Sequence, residues 1–258
     1  MLRHSRGRGF KSLSAHMELK TIYEDENVLV VDKPAGIIVY SEKPTEEETL
    51  IDFLLKNYPH LKNFGKDPRH GIVHRLDKDT SGIILIAKND KALSFLQNQF
   101  KSQKVVKKYF ALVVGNIKEK NGTIKTLIGR EPKKRKKQKA YLPLGPEAKK
   151  KGKRMAITNY SVLEKFLNGK NYYTLVEVKP KTGRKHQIRT HFSHIGFPIA
   201  KDKMYGFKNQ PKLKDLKRQF LHACYLNIKL INNEEKEFKS NLPEDLKGVL
   251  NKLQPIYD

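Results

Sequence analysis

The chain has 258 residues, 38% of them hydrophobic, enough to bury a real core and to set it apart from disordered, low-complexity chains. Its 53 lysines and arginines against 27 acidic residues give +26 at pH 7, which makes nucleic acid the first expected partner and an anionic membrane surface the second. The one cysteine, Cys224, excludes an internal disulfide and a cysteine-built zinc site, and no apolar run approaches the roughly 18 residues that span a bilayer.

Residues 1–16 are basic, show no periodicity and lack the apolar stretch of a signal peptide, so a disordered arm and a cytoplasmic location are expected. Leu19 to Tyr40 reads as short strands around the apolar run Val28-Leu29-Val30-Val31, with a turn at Lys33-Pro34-Ala35-Gly36. Thr49-Leu50-Ile51-Asp52 has the form of a capping box and opens a helix through Leu55. Pro68 to Gly71 marks a loop, and Ile83 to Ala87 an apolar strand. Asn89-Asp90 caps a helix that carries Leu93, Leu96 and Phe100 on one face. Val105 to Val114, Tyr172 to Val178 and Phe220 to Leu230 read as further strands, and the last of these holds Cys224 as a buried structural thiol. His186 to Ile195 has helical spacing at Ile188, Phe192 and Ile195. Pro243 starts a last helix with Leu246, Val249, Leu250 and Leu253.

One segment stands apart. Between Lys133 and Arg154, 11 of 22 positions are Lys or Arg and only Glu147 is acidic. It predicts a flexible basic loop suited to phosphate contacts, inserted into a single domain of residues 17–258.

Two clusters carry chemistry. Gly71-Ile72-Val73-His74-Arg75-Leu76-Asp77-Lys78-Asp79-Thr80-Ser81-Gly82 gathers two carboxylates, a histidine, two cations and two hydroxyls between apolar runs. Such a loop between rigid elements presents catalytic groups, but the same residue types also build turns in which Asp77 or Asp79 caps amides. The second, Lys181-Thr182-Gly183-Arg184-Lys185-His186-Gln187-Ile188-Arg189-Thr190-His191, runs from a Gly turn into a helix N-terminus, where anions bind. Arg184 and Arg189 there suit a phosphate or a carboxylate such as Asp77. His186, His191 and His194 lack a partnering carboxylate or cysteine, so no metal site is expected.

His74-Arg75-Leu76-Asp77 followed by Thr80-Ser81-Gly82 resembles the signature of RluA-type pseudouridine synthases. The likeness extends to Lys33-Pro34-x-Gly36, Lys108-Tyr109-x-Ala111-Leu112-Val113, the segment from Thr182 to His191, Ile195-Gly196-x-Pro198-Ile199, Asp202 and Tyr205-Gly206. It covers about residues 19–230 in the family's order, and the ordered set is far more specific than any one motif. Lys201 stands where the family usually has Gly. Too few residues precede the first strand to build the small N-terminal RNA-binding domain that many relatives carry.

The resemblance implies an α+β fold, with a long, bent, mainly antiparallel sheet, flanking helices and a central catalytic cleft, in a monomeric enzyme. It implies cofactor-free isomerisation of uridine in structured RNA, with 23S ribosomal RNA the nearest substrate class and transfer RNA the alternative. It assigns Asp77 as nucleophile, Arg189 as its ion partner, and Tyr109 as the ring that stacks on the flipped uracil and receives its proton. Arg75 would fill the space the base vacates. His74, Leu76, Arg184, His186 and Gln187 complete the substrate-binding set. Two rival readings are a non-catalytic RNA-binding protein, which charge alone satisfies, and a metal-dependent nuclease, which would want more carboxylates than Asp77 and Asp79.

Overall fold

The computed structural model describes residues 19–134, 136–145 and 151–256; the arm expected at 1–16 lies outside the described residues. The strands are β1 Lys20–Glu24, β2 Val28–Lys33, β3 Ser81–Ala87, β4 Val106–Val114, β5 Asn121–Arg130 and β6 Gln138–Tyr141. They continue with β7 Arg154–Asn168, β8 Asn171–Pro180, β9 Leu221–Lys229, β10 Glu235–Lys239 and β11 Gln254–Ile256. The helices are α1 Leu50–Asn57, α2 Asp90–Lys101, α3 Gln187–His194 and α4 Glu244–Leu250. All eleven strands join one sheet in the order β1-β2-β3-β9-β4-β8-β7-β5-β6, with β10 on β9 and β11 on β7. Among the described pairs only β3 and β9 run parallel, so the α+β class and mainly antiparallel sheet implied by the family resemblance are observed.

The uninterrupted apolar runs in β2 and β3 follow from burial on both faces. Leu29, Val31, Ile84 and Ile86 join a core under α1, while Val28, Val30, Ile83 and Leu85 join another under α2. Alternate side chains leave a strand on opposite faces, so a strand covered on both sides can spare no polar position. A third core lies across β4 and β8 against α3 and α4.

The helix starts follow local chemistry. Thr49 accepts from the Asp52 amide while Asp52 accepts from the Thr49 amide, the reciprocal box anticipated at that tetrapeptide. Asn89 accepts from the Ala92 amide and opens α2. The strand reading as far as Tyr40 is corrected: β2 stops at Lys33, and the carbonyls of Ile38 and Val39 accept from Leu50 and Ile51. Backbone that bonds to the first turn of a helix is not free to pair with a neighbouring strand.

Within the basic segment read as a loop, Gln138–Tyr141 forms an edge strand on β5, with Ala140 and Tyr141 buried. The run is short, follows Lys136 and Lys137 and contains Lys139, which blunts an exposed sheet edge. Nothing in its four residues signals a strand without knowledge of β5 beside it.

Two irregularities position the site. Where β3 and β9 meet, a Cβ on Gly82 would lie 2.2 Å from the Ala223 carbonyl oxygen, and Gly82 has φ +116°. Only glycine permits that approach. On β4 the pairing with β9 shifts register between Lys108 and Tyr109, a bulge that aims Tyr109 into the seam between two of the cores.

Candidate active site

Asp77 sits in the loop that leads into β3, and that loop is tied from two sides. Lys33 is wholly buried, and its Nζ donates to the carbonyls of Pro34 (2.7 Å), Ile37 (3.0 Å) and Lys78 (3.1 Å). The Gly36 amide also donates to the Lys78 carbonyl at 2.9 Å. From the other side Gln219 Nε2 donates to Thr80 Oγ1 at 2.8 Å, and Arg218 donates to the Asp79 carbonyl and to Ser81 Oγ. These bonds fix the chain that follows Asp77, from Lys78 to Ser81, and the Asp77 carboxylate faces a cavity.

Arg189, on α3, meets that carboxylate. Its Nη1 donates to Asp77 Oδ2 at 2.8 Å, while Nε and Nη2 grip both oxygens of Asp202 at 2.7 and 2.8 Å. Burial opposes the guanidinium charge, but the bonds and charge of Asp202, then of Asp77, outweigh it and raise the Arg189 pKa. Asp202 is buried too. Burial would lift its pKa, yet Arg189 and the amides of Tyr205 and Met204 hold it low. One arginine thus bridges a buried carboxylate that braces it and a half-buried one that it presents, with side-chain exposures of 0% and 23%.

His186 faces the other oxygen of Asp77, with Nε2 3.8 Å from Oδ1. Its Nδ1 lies 2.9 Å from the Tyr205 hydroxyl, which accepts from the Gln138 amide at 2.8 Å. The phenol proton is then free to go to Nδ1, which sets the neutral ring with its N–H towards Asp77. Burial is the main reason the His186 pKa falls to about 4, so the ring is neutral at pH 7. Tyr109 closes the wall. Burial first, then the Asp77 charge, raises its pKa and keeps it a phenol. The open cavity these residues line measures about 210 Å³.

A cleft in which a buried arginine aims a carboxylate past a phenol can attack an electrophilic carbon and move a proton. The sequence model of the family described as RNA pseudouridylate synthase matches residues 27–194. The chain belongs to the RNA pseudouridylate synthase family. The synthase is 40% identical to the RNA pseudouridine synthase YlyB of Bacillus subtilis, over 94% of this chain and 75% of that protein. It is 38% identical to a ribosomal large subunit pseudouridine synthase D of Pseudomonas aeruginosa, over 94% of this chain and 74% of that protein. Among solved structures, human RNA pseudouridylate synthase domain containing 1 superposes with a TM-score of 0.72 at 28% identity, covering 93% of this chain and 89% of that one. The enzyme is therefore an RNA pseudouridine synthase, and RNA is its substrate.

Of the residues singled out in the sequence, Asp77, Arg189, Tyr109, Arg75, Leu76, Arg184 and His186 line the cavity together. Arg75 has its guanidinium 4.6 Å from the centroid of the Tyr40 ring. Gln187 also borders the cavity, but its polar atoms are taken up inside the protein. Oε1 accepts from Thr182 and the Arg184 amide, and Nε2 donates to Ile157 and Thr158, so it shapes the loop beneath the site. His74 is not in the wall of this cavity but lines the neighbouring one. Its Nε2 accepts from the Leu85 amide at 3.1 Å and its ring stacks on Phe100, so it joins the loop to β3 and α2. His191, weighed as a metal ligand, has both ring nitrogens on Thr126 and Thr158. No helix among the described residues is long and apolar enough to cross a membrane.

Asp202 and Tyr205 stand within the sequence motifs but carry no role there, and nothing in the sequence marks Lys33 as a buried cation. The one signal for Asp202 is its place after Lys201, which here adopts φ 62°, the left-handed region that favours glycine. The turn survives the departure from Gly and delivers Asp202 to Arg189.

Proposed function

We propose that the synthase isomerises specific uridines in large-subunit ribosomal RNA, with Asp77 as nucleophile. The observation that carries the mechanism is the 2.8 Å bond from Arg189 to Asp77, braced from behind by Asp202. The substrate class is supported by relatives named ribosomal large subunit pseudouridine synthase D, from Pseudomonas aeruginosa and Borreliella burgdorferi, at 38% and 39% identity.

The target uridine leaves its stack at a cost of a few kcal/mol and enters the cavity. Arg75 then moves from Tyr40 towards the space left behind, and Tyr109 stacks on the uracil. An Asp77 oxygen bonds to the anomeric carbon as the N1 bond breaks and its electron pair leaves with the uracil. The base turns, its C5 bonds to the same carbon, and the carboxylate departs. The C5 proton must then be removed while N1, which kept the electron pair of the broken bond, takes up a proton. Because Tyr109 is held as a phenol, it can receive that proton only while releasing its own to another acceptor in the cleft.

Tritium release from large-subunit ribosomal RNA labelled at uridine C5 reports the final step. Wild type should release it, and Asp77→Asn should not, while binding the RNA with nearly unchanged affinity. Turnover by the purified Asn protein would sink the mechanism. A wild type active on transfer RNA but silent on ribosomal RNA would sink the substrate assignment alone.

A further inference from the structure

The catalytic cavity shares a wall with a second one of about 410 Å³. Arg75, Lys107, Tyr109 and the stretch Thr182 to Arg184 line both, and the second adds Arg69, Lys101 and Lys181 but no carboxylate. Lys107 lies at the junction. On the same strand, Lys108 is paired with Glu177 at 3.2 Å. Lys107 is half-buried and, among the described residues, has no carboxylate within ion-pair distance. Its Nζ lies 5.7 Å from the Phe100 ring centroid, and a Cβ on Gly183 would come within 3.9 Å of it, so the ammonium stands beside bare backbone. Burial lowers its pKa, which marks the charged form as costly where it stands.

A partly buried cation without an anion is held at some cost unless a ligand supplies the charge. The substrate carries one phosphate per nucleotide, and those next to a flipped uridine must pass the mouth of the catalytic cavity. We infer that Lys107, with Lys181 and Arg184 at the rim, binds a backbone phosphate flanking the flipped uridine, and that the second cavity seats the adjoining nucleotide. This rests on RNA being the substrate, as the family gives, and not on which RNA it is.

The test is the binding of a large-subunit ribosomal RNA transcript across a salt series, by fluorescence anisotropy. Lys107→Met should weaken binding about tenfold, as loss of one charge-assisted bond does. It should also reduce the slope of log affinity against log salt by about 0.7–0.9. Lys107→Arg should restore both. Wild-type affinity and slope in the Met variant would overturn the inference, as would an Arg variant as impaired as Met, since packing would then be what matters. Should the Met variant not fold, wild type is tested on RNA with a neutral methylphosphonate on either side of the isomerised uridine. One position should cost about tenfold, and no loss at either overturns the assignment. Lack of turnover on this transcript would count against the proposed ribosomal substrate and leave the binding readout intact.

Discussion

Arg189 is held between two aspartates, and the structure predicts that they fail in opposite ways. Asp202 has 0% side-chain exposure and accepts four bonds, two from Arg189 and one each from the amides of Met204 and Tyr205. Asp202→Asn keeps the shape but turns an amide N–H2 towards a guanidinium N–H, donor against donor, and leaves the Arg189 charge half-compensated. Breaking a buried pair in this way costs about 3–5 kcal/mol. At about 2–4 °C per kcal/mol for a protein of this size, the melting temperature should fall by roughly 6–20 °C. Asp77 is half-buried and contributes one bond to Arg189. Asp77→Asn should cost less than about 1 kcal/mol of stability and yet abolish turnover. Thermal unfolding followed by circular dichroism, beside tritium release at matched folded concentration, reads both quantities. If Asp202→Asn melts within about 2 °C of wild type, the brace is not what fixes Arg189 and the reasoning fails.

Lys201→Gly should stabilise by about 0.5–1 kcal/mol, because φ 62° strains an L-residue and does not strain glycine; unchanged urea unfolding would show the strain is relieved elsewhere. Burial lowers the pKa of His74 to about 3, with Lys107 adding to the effect, and of His186 and His191 to about 4, and it lowers His222 as well. In the unfolded chain these histidines bind protons near pH 6.5, so their contribution is intact above that pH and is lost as pH falls towards 4. Each contributes up to about 1.4 kcal/mol per pH unit in that window, and urea midpoints flat between pH 6.5 and 5 would refute it. Replacing Lys133, Lys134, Lys136 and Lys137 by Gln, with β6 left intact, should flatten the salt dependence of RNA binding by about 0.7–0.9 for each phosphate that these lysines neutralise. Equal slopes would mean that they only face solvent.

The sequence by itself determined the elements whose signals are local. The capping box at Thr49, the Asn89 cap and the doubly buried runs of β2 and β3 depend on neighbours within a few residues, and they stand where periodicity put them. The ordered motifs likewise point to Asp77, Tyr109 and Arg189, which line one cavity. Only the tertiary structure could show that Lys33 is buried against three carbonyls, since a lysine beside a turn reads as solvated until distant chain covers it. The same holds for Gln187, which looks like a ligand-binding group in a motif and is consumed by internal bonds. It holds for β6, whose partner lies across a turn of basic residues, and above all for Asp202. Asp202 stands among the ordered motifs, but nothing local to it says that it braces Arg189. Its role arises because α3 and the turn after it return Arg189 and Asp202 to the same point, 112 residues along the chain from the Asp77 that Arg189 serves.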